Sequence, residues 1–259
     1  MHDPRSSPVL SKRDIAVLRE IAEAQELSQG QVHRAVFPTV SEVVVSRRVR
    51  RLRDLGLIAV ERWRKVGINR LRLTSRGRDL LIEIGAAEDV SIFLLTGTLA
   101  DKVIPHTLWV NDVRIVLKSL ASPGDAVLAS WMIERRFVPR WASIPDVLWI
   151  AAPQGEAPGS VLAVEIDLGT EPIKGVFAKT LETLQEILTS LAAGSSAAIV
   201  VLTVGERRCG AIRAAVHDLP ASVPIEVQPL PRLVGRPTFD ALATLFSPAL
   251  KTTSGAETP

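Results

Sequence analysis

The most constraining stretch of this chain runs from Ser41 into the early eighties. In VVVSRRVRRLRDLGLI, Val45, Val49 and Leu52 recur at i, i+4 and i+7, the spacing of one buried helical face. That spacing predicts a helix over about Ser41–Leu55, with Gly56 as its C-terminal cap. Turning by about 100° per residue carries Arg47, Arg50 and Arg51 to the opposite side. Beyond Gly56, two β-rich stretches, Leu57–Trp63 and Ile68–Thr74, flank a turn containing Lys65 and Gly67, the pattern of a hairpin. Arg62, Arg64, Lys65, Arg70 and Arg72 decorate it. The next segment, LTSRGRDLLIEI, starts another helix, with Thr74 or Ser75 as its cap and Arg76 in its first turn.

Two helices are expected upstream. Ser11–Ala24 places Ile15, Leu18, Ile21 and Ala22 on one face, with Ser11 as N-cap and Asp14 near the positive end of the helix. Ser28–Phe37 is stopped by Pro38. His33, on this second helix, reads as a surface or packed residue rather than a metal ligand, and Trp63 as an anchor of the hairpin. Charge is distributed unevenly around this region. Residues 1–82 hold 17 Lys+Arg against 9 Asp+Glu, and residues 83–259 hold 14 against 19. A basic third joined to an acidic remainder points to one part that meets phosphates; a solvated basic face is the plainer alternative. Guanidinium groups on the exposed face of the last of three helices suit the major groove. Arg47 is placed to pair with a guanine edge and Arg50 and Arg51 to hold phosphates, with Arg48 beside them as a further DNA-binding candidate. The basic hairpin suits the backbone or minor groove. The run, residues 10–85, resembles winged helix-turn-helix domains that bind double-stranded DNA, and a three-helix protein-interaction module is the other reading.

The second part reads as α/β. A helix in IPHTLWVNDVRIVLKSLA is followed by strands expected at Val127–Glu134, Ile144–Ala151 and Ser160–Asp167. A helix at about Thr170–Leu191, a buried strand at Ser196–Val204, a helix at Glu206–Val216 and a strand at Ile225–Leu230 follow. A last helix near Phe239–Phe246 and a disordered tail, 249–259, complete the expectation. The order α-β-β-β-α-β resembles the core of the PD-(D/E)xK, restriction-endonuclease-like fold, assigned here to residues 101–248. The fold class is therefore α/β overall, in two domains. Glu165 and Asp167, two apart on a strand, project to the same side. With Asp146 on the neighbouring strand, three carboxylates are candidates to hold Mg²⁺, which polarises a phosphodiester and activates water. Glu134, near the end of the first strand, is placed to assist. The endonuclease pattern wants a lysine two residues after the glutamate, where this chain has Asp167. Lys174 and Lys179 are the candidate substitutes.

The chain as a whole resembles the replication-relaxation family of plasmids and mobile elements. The resemblance rests on LTSRGRDLL, on HTLWVNDVR from His106 to Arg114, on WMIE from Trp131 to Glu134, on Pro145-Asp146, and on VEIDLGTE, Val164–Glu171, with Lys179. It implies a winged helix joined to an endonuclease-like domain and a role in replication or mobilisation, and it favours Lys179 over Lys174 as the counterpart lysine. The chain departs from the family after Lys179 and has no tyrosine. The altered lysine position favours a non-enzymatic or weakly enzymatic, homodimeric DNA-binding protein, acting in replication, mobilisation or transcription, over a Mg²⁺-dependent deoxyribonuclease. In that reading the endonuclease-like domain serves dimerisation or a second DNA contact. An adaptor docking a partner protein is a third possibility. One cysteine, Cys209, excludes an internal disulfide framework and a cysteine-rich zinc site. The absence of long apolar runs and of a secretory leader in MHDPRSSPVLSKRD point to the cytoplasm.

Overall fold

The computed structural model describes residues 9–86, 99–100, 102–137, 141–153, 158–192, 195–219 and 222–230, together with 242, 244 and 246. Most of the expected last helix, the expected tail and most of the connecting segment 86–105 lie outside the described residues. Two compact units divide the chain between Asn111 and Asp112.

In the first unit, α1 (Lys12–Glu23), β1 (Leu27–Ser28), α2 (Gln29–Val36) and α3 (Glu42–Asp54) precede a hairpin of β2 (Ile58–Trp63) and β3 (Ile68–Leu73), followed by α4 (Ser75–Glu83). Local chemistry sets the helix starts. The Ser11 hydroxyl accepts from the Asp14 N–H, and the Asp14 carboxylate accepts from the Ser11 N–H. Ser28 and Gln31 repeat the same reciprocal box at α2. α3 buries Val45, Val49 and Leu52, as its periodicity requires. Val17, Leu18, Ile21, Leu27, Leu71 and Leu81 of the same unit are likewise buried, all of them fully. The strands pair antiparallel from Ile58↔Leu73 to Trp63↔Ile68, and β1 adds to the free edge of β3. Gly67 closes the hairpin turn at a positive φ of 69°, open to glycine at little cost.

The LTSRG segment is fixed by a close approach. Thr74 donates its hydroxyl to the Gly56 carbonyl and accepts from the Gly77 N–H. A Cβ on Gly77 would stand 2.2 Å from the Leu57 carbonyl oxygen, so only glycine lets α4 start against the beginning of β2.

A helix, α5 (Ile104–Leu120), crosses the division between units; its residues through Asn111 belong to the first. There Gln31 donates to the Leu108 carbonyl, and Asn111 donates to the carbonyls of Glu26 and Thr107. The motif HTLWVNDVR is thus largely interior: Thr107, Trp109, Asn111 and Arg114 are all buried.

The second unit carries a five-stranded sheet in sequential order. Its strands are β4 (Ala126–Ala129), β5 (Val147–Ala151), β6 (Ser160–Asp167), β7 (Ser196–Thr203) and β8 (Ile225–Pro229). The first two pairings are antiparallel and the last two parallel. The parallel pairs are joined through α7 (Ala178–Leu191) and α8 (Glu206–Val216), as parallel neighbours require. Val161 and Ala163 of β6, Ile199 and Val201 of β7, Leu181, Leu184 and Leu188 of α7, and Ile212 of α8 form one core. Every residue of β6 is buried, the mark of a strand covered on both faces.

Three expectations are corrected. The strand expected over Val127–Glu134 ends at Ala129, and the chain turns into α6 (Ser130–Phe137), which buries Trp131 and Ile133. Glu134 therefore lies on a helix, exposed, and not at a strand end. Asp146 precedes β5 rather than lying on it, its backbone carbonyl accepting from the Ser130 N–H at 2.9 Å. The helix expected from Thr170 opens with a kink at 173–177, where Lys174 is extended and Gly175 has φ 84°.

Candidate nucleic-acid interface and carboxylate edge

The basic residues of the first unit fall into two sets. Asp14, fully buried, accepts from Arg48 at 2.6 Å and from Arg51 at 2.8 Å, tying α3 to the start of α1. Burial opposes the charge on Asp14. Hydrogen bonds from Ser11 and Arg48 outweigh it and hold the carboxyl below its ordinary range. Arg48 also lies 6.0 Å from the Phe37 ring centre. Arg70 is 5% exposed and donates to both oxygens of Glu26 at 2.9 and 3.2 Å and to Glu61 at 3.1 Å. Arg72 pairs with Glu61, and Arg53 with Asp54. Burial of Glu26 pushes its carboxyl up despite Arg70 beside it.

Four residues expected to meet DNA are thus engaged within the fold. Arg70 is an interior residue: β3 is the middle strand of its sheet, and its outward position there is covered by Glu26 and Glu61. Arg48, Arg51 and Arg72 neutralise carboxylates. The other set is different. Arg47 and Arg50 on α3, Arg62 and Arg64 at the hairpin tip, and Arg76 at the start of α4 are exposed and make no ion pair among the described residues. Lys65 is exposed at the same tip. Measured around α3 at about 100° per residue, Arg47 and Arg50 stand opposite the Val45–Val49–Leu52 stripe, whereas Arg48 and Arg51 lie toward the α1 side.

Two of the three candidate carboxylates of the second unit are engaged within the fold. Asp167 ends β6 and is held by Arg208 of α8 through two nitrogens, by the Thr203 hydroxyl at 2.6 Å and by the Gly169 N–H at 3.0 Å. Burial raises its carboxyl, but Arg208, Thr203 and Gly169 together bring it below the ordinary range. Asp146 accepts from the Ile166 N–H at 2.8 Å. Glu165 is the exception. It is buried, its Oε1 has no hydrogen-bond partner among the described residues, and burial with the charges of Asp146 and Glu171 raises its carboxyl well above the ordinary range. Lys174 and Lys179 are exposed, and neither makes an ion pair among the described residues.

The residues present do not fit the three-carboxylate Mg²⁺ site. Among the described residues no three His, Cys, Asp or Glu side chains are grouped to hold a metal ion. The cation at Asp167 is the Arg208 guanidinium, two strand-to-helix elements away in sequence. Neither Arg208 nor Asp14 was visible as a partner in the sequence. Both pairs join residues about forty positions apart, and periodicity reports only local neighbours.

The family model for replication-relaxation matches residues 18–203, most of the chain. The chain belongs to the replication-relaxation family. No curated protein matches it. Among solved structures it is similar to BpsR of Bordetella bronchiseptica, a protein whose DNA binding is regulated by 6-hydroxynicotinic acid. That likeness has 25% identity and a TM-score of 0.27, over 32% of this chain and 56% of that one. This family member thus spans little more than half the length of BpsR. No helix among its described residues is long and apolar enough to cross a membrane.

Proposed function

We propose that this replication-relaxation protein is a double-stranded DNA-binding factor of replication, mobilisation or transcription that grips the duplex through a winged helix-turn-helix formed by residues 10–85. One observation carries the reading. α3 directs Arg47 and Arg50 outward with no carboxylate to neutralise them among the described residues, while Asp14 holds the helix in place by taking Arg48 and Arg51. α3 enters the major groove, Arg62, Arg64 and Lys65 of the wing and Arg76 follow the backbone, and a homodimer reads two half-sites about one helical turn apart. The second unit is a restriction-endonuclease-like domain used for dimerisation or a second DNA contact. The Arg208–Asp167 pair favours that division of labour, since it neutralises one of the three candidate carboxylates within the fold.

The test is selection from a pool of random duplexes by the full chain, across a salt series with and without Mg²⁺. The expected result is salt-sensitive enrichment of one motif with the DNA left whole. Arg47→Ala and Arg50→Ala each lower affinity, and loss of a phosphate contact lowers the salt slope by about one. Selection of no duplex refutes the proposal. Metal-dependent strand breaks abolished by Asp146→Ala replace it with a targeted nuclease.

A further inference from the structure

Val43 is 58% exposed, one of the most exposed large apolar side chains among the described residues. It lies in the first turn of α3, one helical turn before Arg47 and two before Arg50, so the three stand at i, i+4 and i+7 along the outward face. β-branched residues are poor helix formers when nothing packs on them. In the run Val43-Val44-Val45 only Val45 is buried; Val44 is 36% exposed. Neither packing within the unit nor helix propensity accounts for Val43. Its neighbours on that line are two guanidinium groups that no carboxylate neutralises among the described residues. The matching surface is therefore strongly anionic and carries an apolar projection beside a planar acceptor edge. The major groove supplies both: thymine presents a C5-methyl group, and guanine presents O6 and N7.

We propose that Val43 and Arg47 together determine the DNA sequence this protein selects, Val43 by covering a thymine methyl and Arg47 by pairing with an adjacent guanine. The inference rests on the DNA-binding reading above and adds to it which residues discriminate bases. It assigns Arg50 to the phosphates, so Arg50→Ala weakens binding equally across sequences, whereas Val43→Ala and Arg47→Ala relax the selected motif.

The experiment begins with the motif selected by the full chain and replaces each thymine in turn by deoxyuridine, which removes only the methyl group. One thymine per half-site is expected to matter, with about a fourfold loss of affinity, the worth of one buried methyl. Val43→Ala is expected to bind the thymine and deoxyuridine duplexes equally, while Arg50→Ala retains the fourfold preference. Replacing the neighbouring guanine by 7-deazaguanine weakens the parent protein and leaves Arg47→Ala unaffected. A motif in which every deoxyuridine is tolerated, or a preference that survives intact in Val43→Ala, overturns this inference and leaves the DNA-binding reading standing. Selection of no motif at all overturns both.

Discussion

Arg70 offers a decisive separation of architecture from DNA contact. Its guanidinium is 5% exposed and faces the Glu26 carboxylate, which has no exposed side-chain surface. Arg70→Met leaves that carboxylate buried without its ion-pair partner. Removing one partner of a buried pair costs about 3–5 kcal/mol. The contacts with the partly exposed Glu61 add at most about 1 kcal/mol. For a unit of this size the melting temperature falls by an amount on the order of 20 °C. The effect depends on pH with a definite sign. The Glu26 carboxyl is already pushed up in the folded protein by burial, and losing Arg70 pushes it further. An acid with a raised folded pKa binds more protons folded than unfolded, so its contribution is retained at low pH and lost as pH rises. The difference between Arg70→Met and the parent is therefore smallest near pH 4 and largest at neutral pH. Thermal melts followed by circular dichroism at both values measure it. Glu26→Gln in the same chain recovers most of the loss, since replacing both members of a buried pair is close to neutral. A loss below about 1 kcal/mol at pH 7, or a double variant that adds a further loss, refutes the reasoning.

Two further outcomes follow from particular contacts. Gly77→Ala is expected to destabilise by about 2–3 kcal/mol in a thermal melt, because the new Cβ meets the Leu57 carbonyl at 2.2 Å and the Leu73 side chain at 2.8 Å; at an open helix position the same change stabilises, so the sign alone is diagnostic. Glu165→Gln is expected to stabilise the protein above the ordinary carboxylate range, because burial and the Asp146 and Glu171 charges raise the Glu165 carboxyl in the folded state. The parent loses that part of its stability as pH rises and the variant does not; urea titrations at pH 5 and 8 show whether the gap widens with pH.

The first unit was legible because its signals are local. The Val45–Val49–Leu52 stripe, the Ser11 cap, Gly56, and the turn at Gly67 each act within a few residues, and the elements fall within one or two positions of expectation. What the sequence could not distinguish was one arginine from the next. Arg47 and Arg48 are adjacent and chemically identical, yet one is exposed and the other serves Asp14, a partner 34 positions away. In the second unit the alternation of β6 correctly put Glu165 and Asp167 on one side, with Thr203 opposite Asp167 in register. What the expectation of a metal site did not include is the guanidinium from α8 that pairs with Asp167. The strand expected past Ala129 failed for a simpler reason: apolar residues at 131 and 133 suit alternation as well as a short helix, and tertiary packing decided between them.

The parallel strands at the end of the sheet shape how the second unit comes into being. β6 can pair with β7 only after α7 has formed a crossover, and β7 is covered on its other edge only when β8, from Ile225, arrives. Such non-local pairing is slow compared with closing the hairpin of the first unit. During synthesis the first unit is complete while SAAIVVLT, apolar, uncharged and rich in β-branched residues, still awaits its second neighbour. A chain cut after Val216 keeps Asp146, Glu165, Asp167 and Arg208 and yet leaves that edge bare, making it prone to self-association. Expression of the second unit therefore depends on residues that contribute nothing to its carboxylate edge.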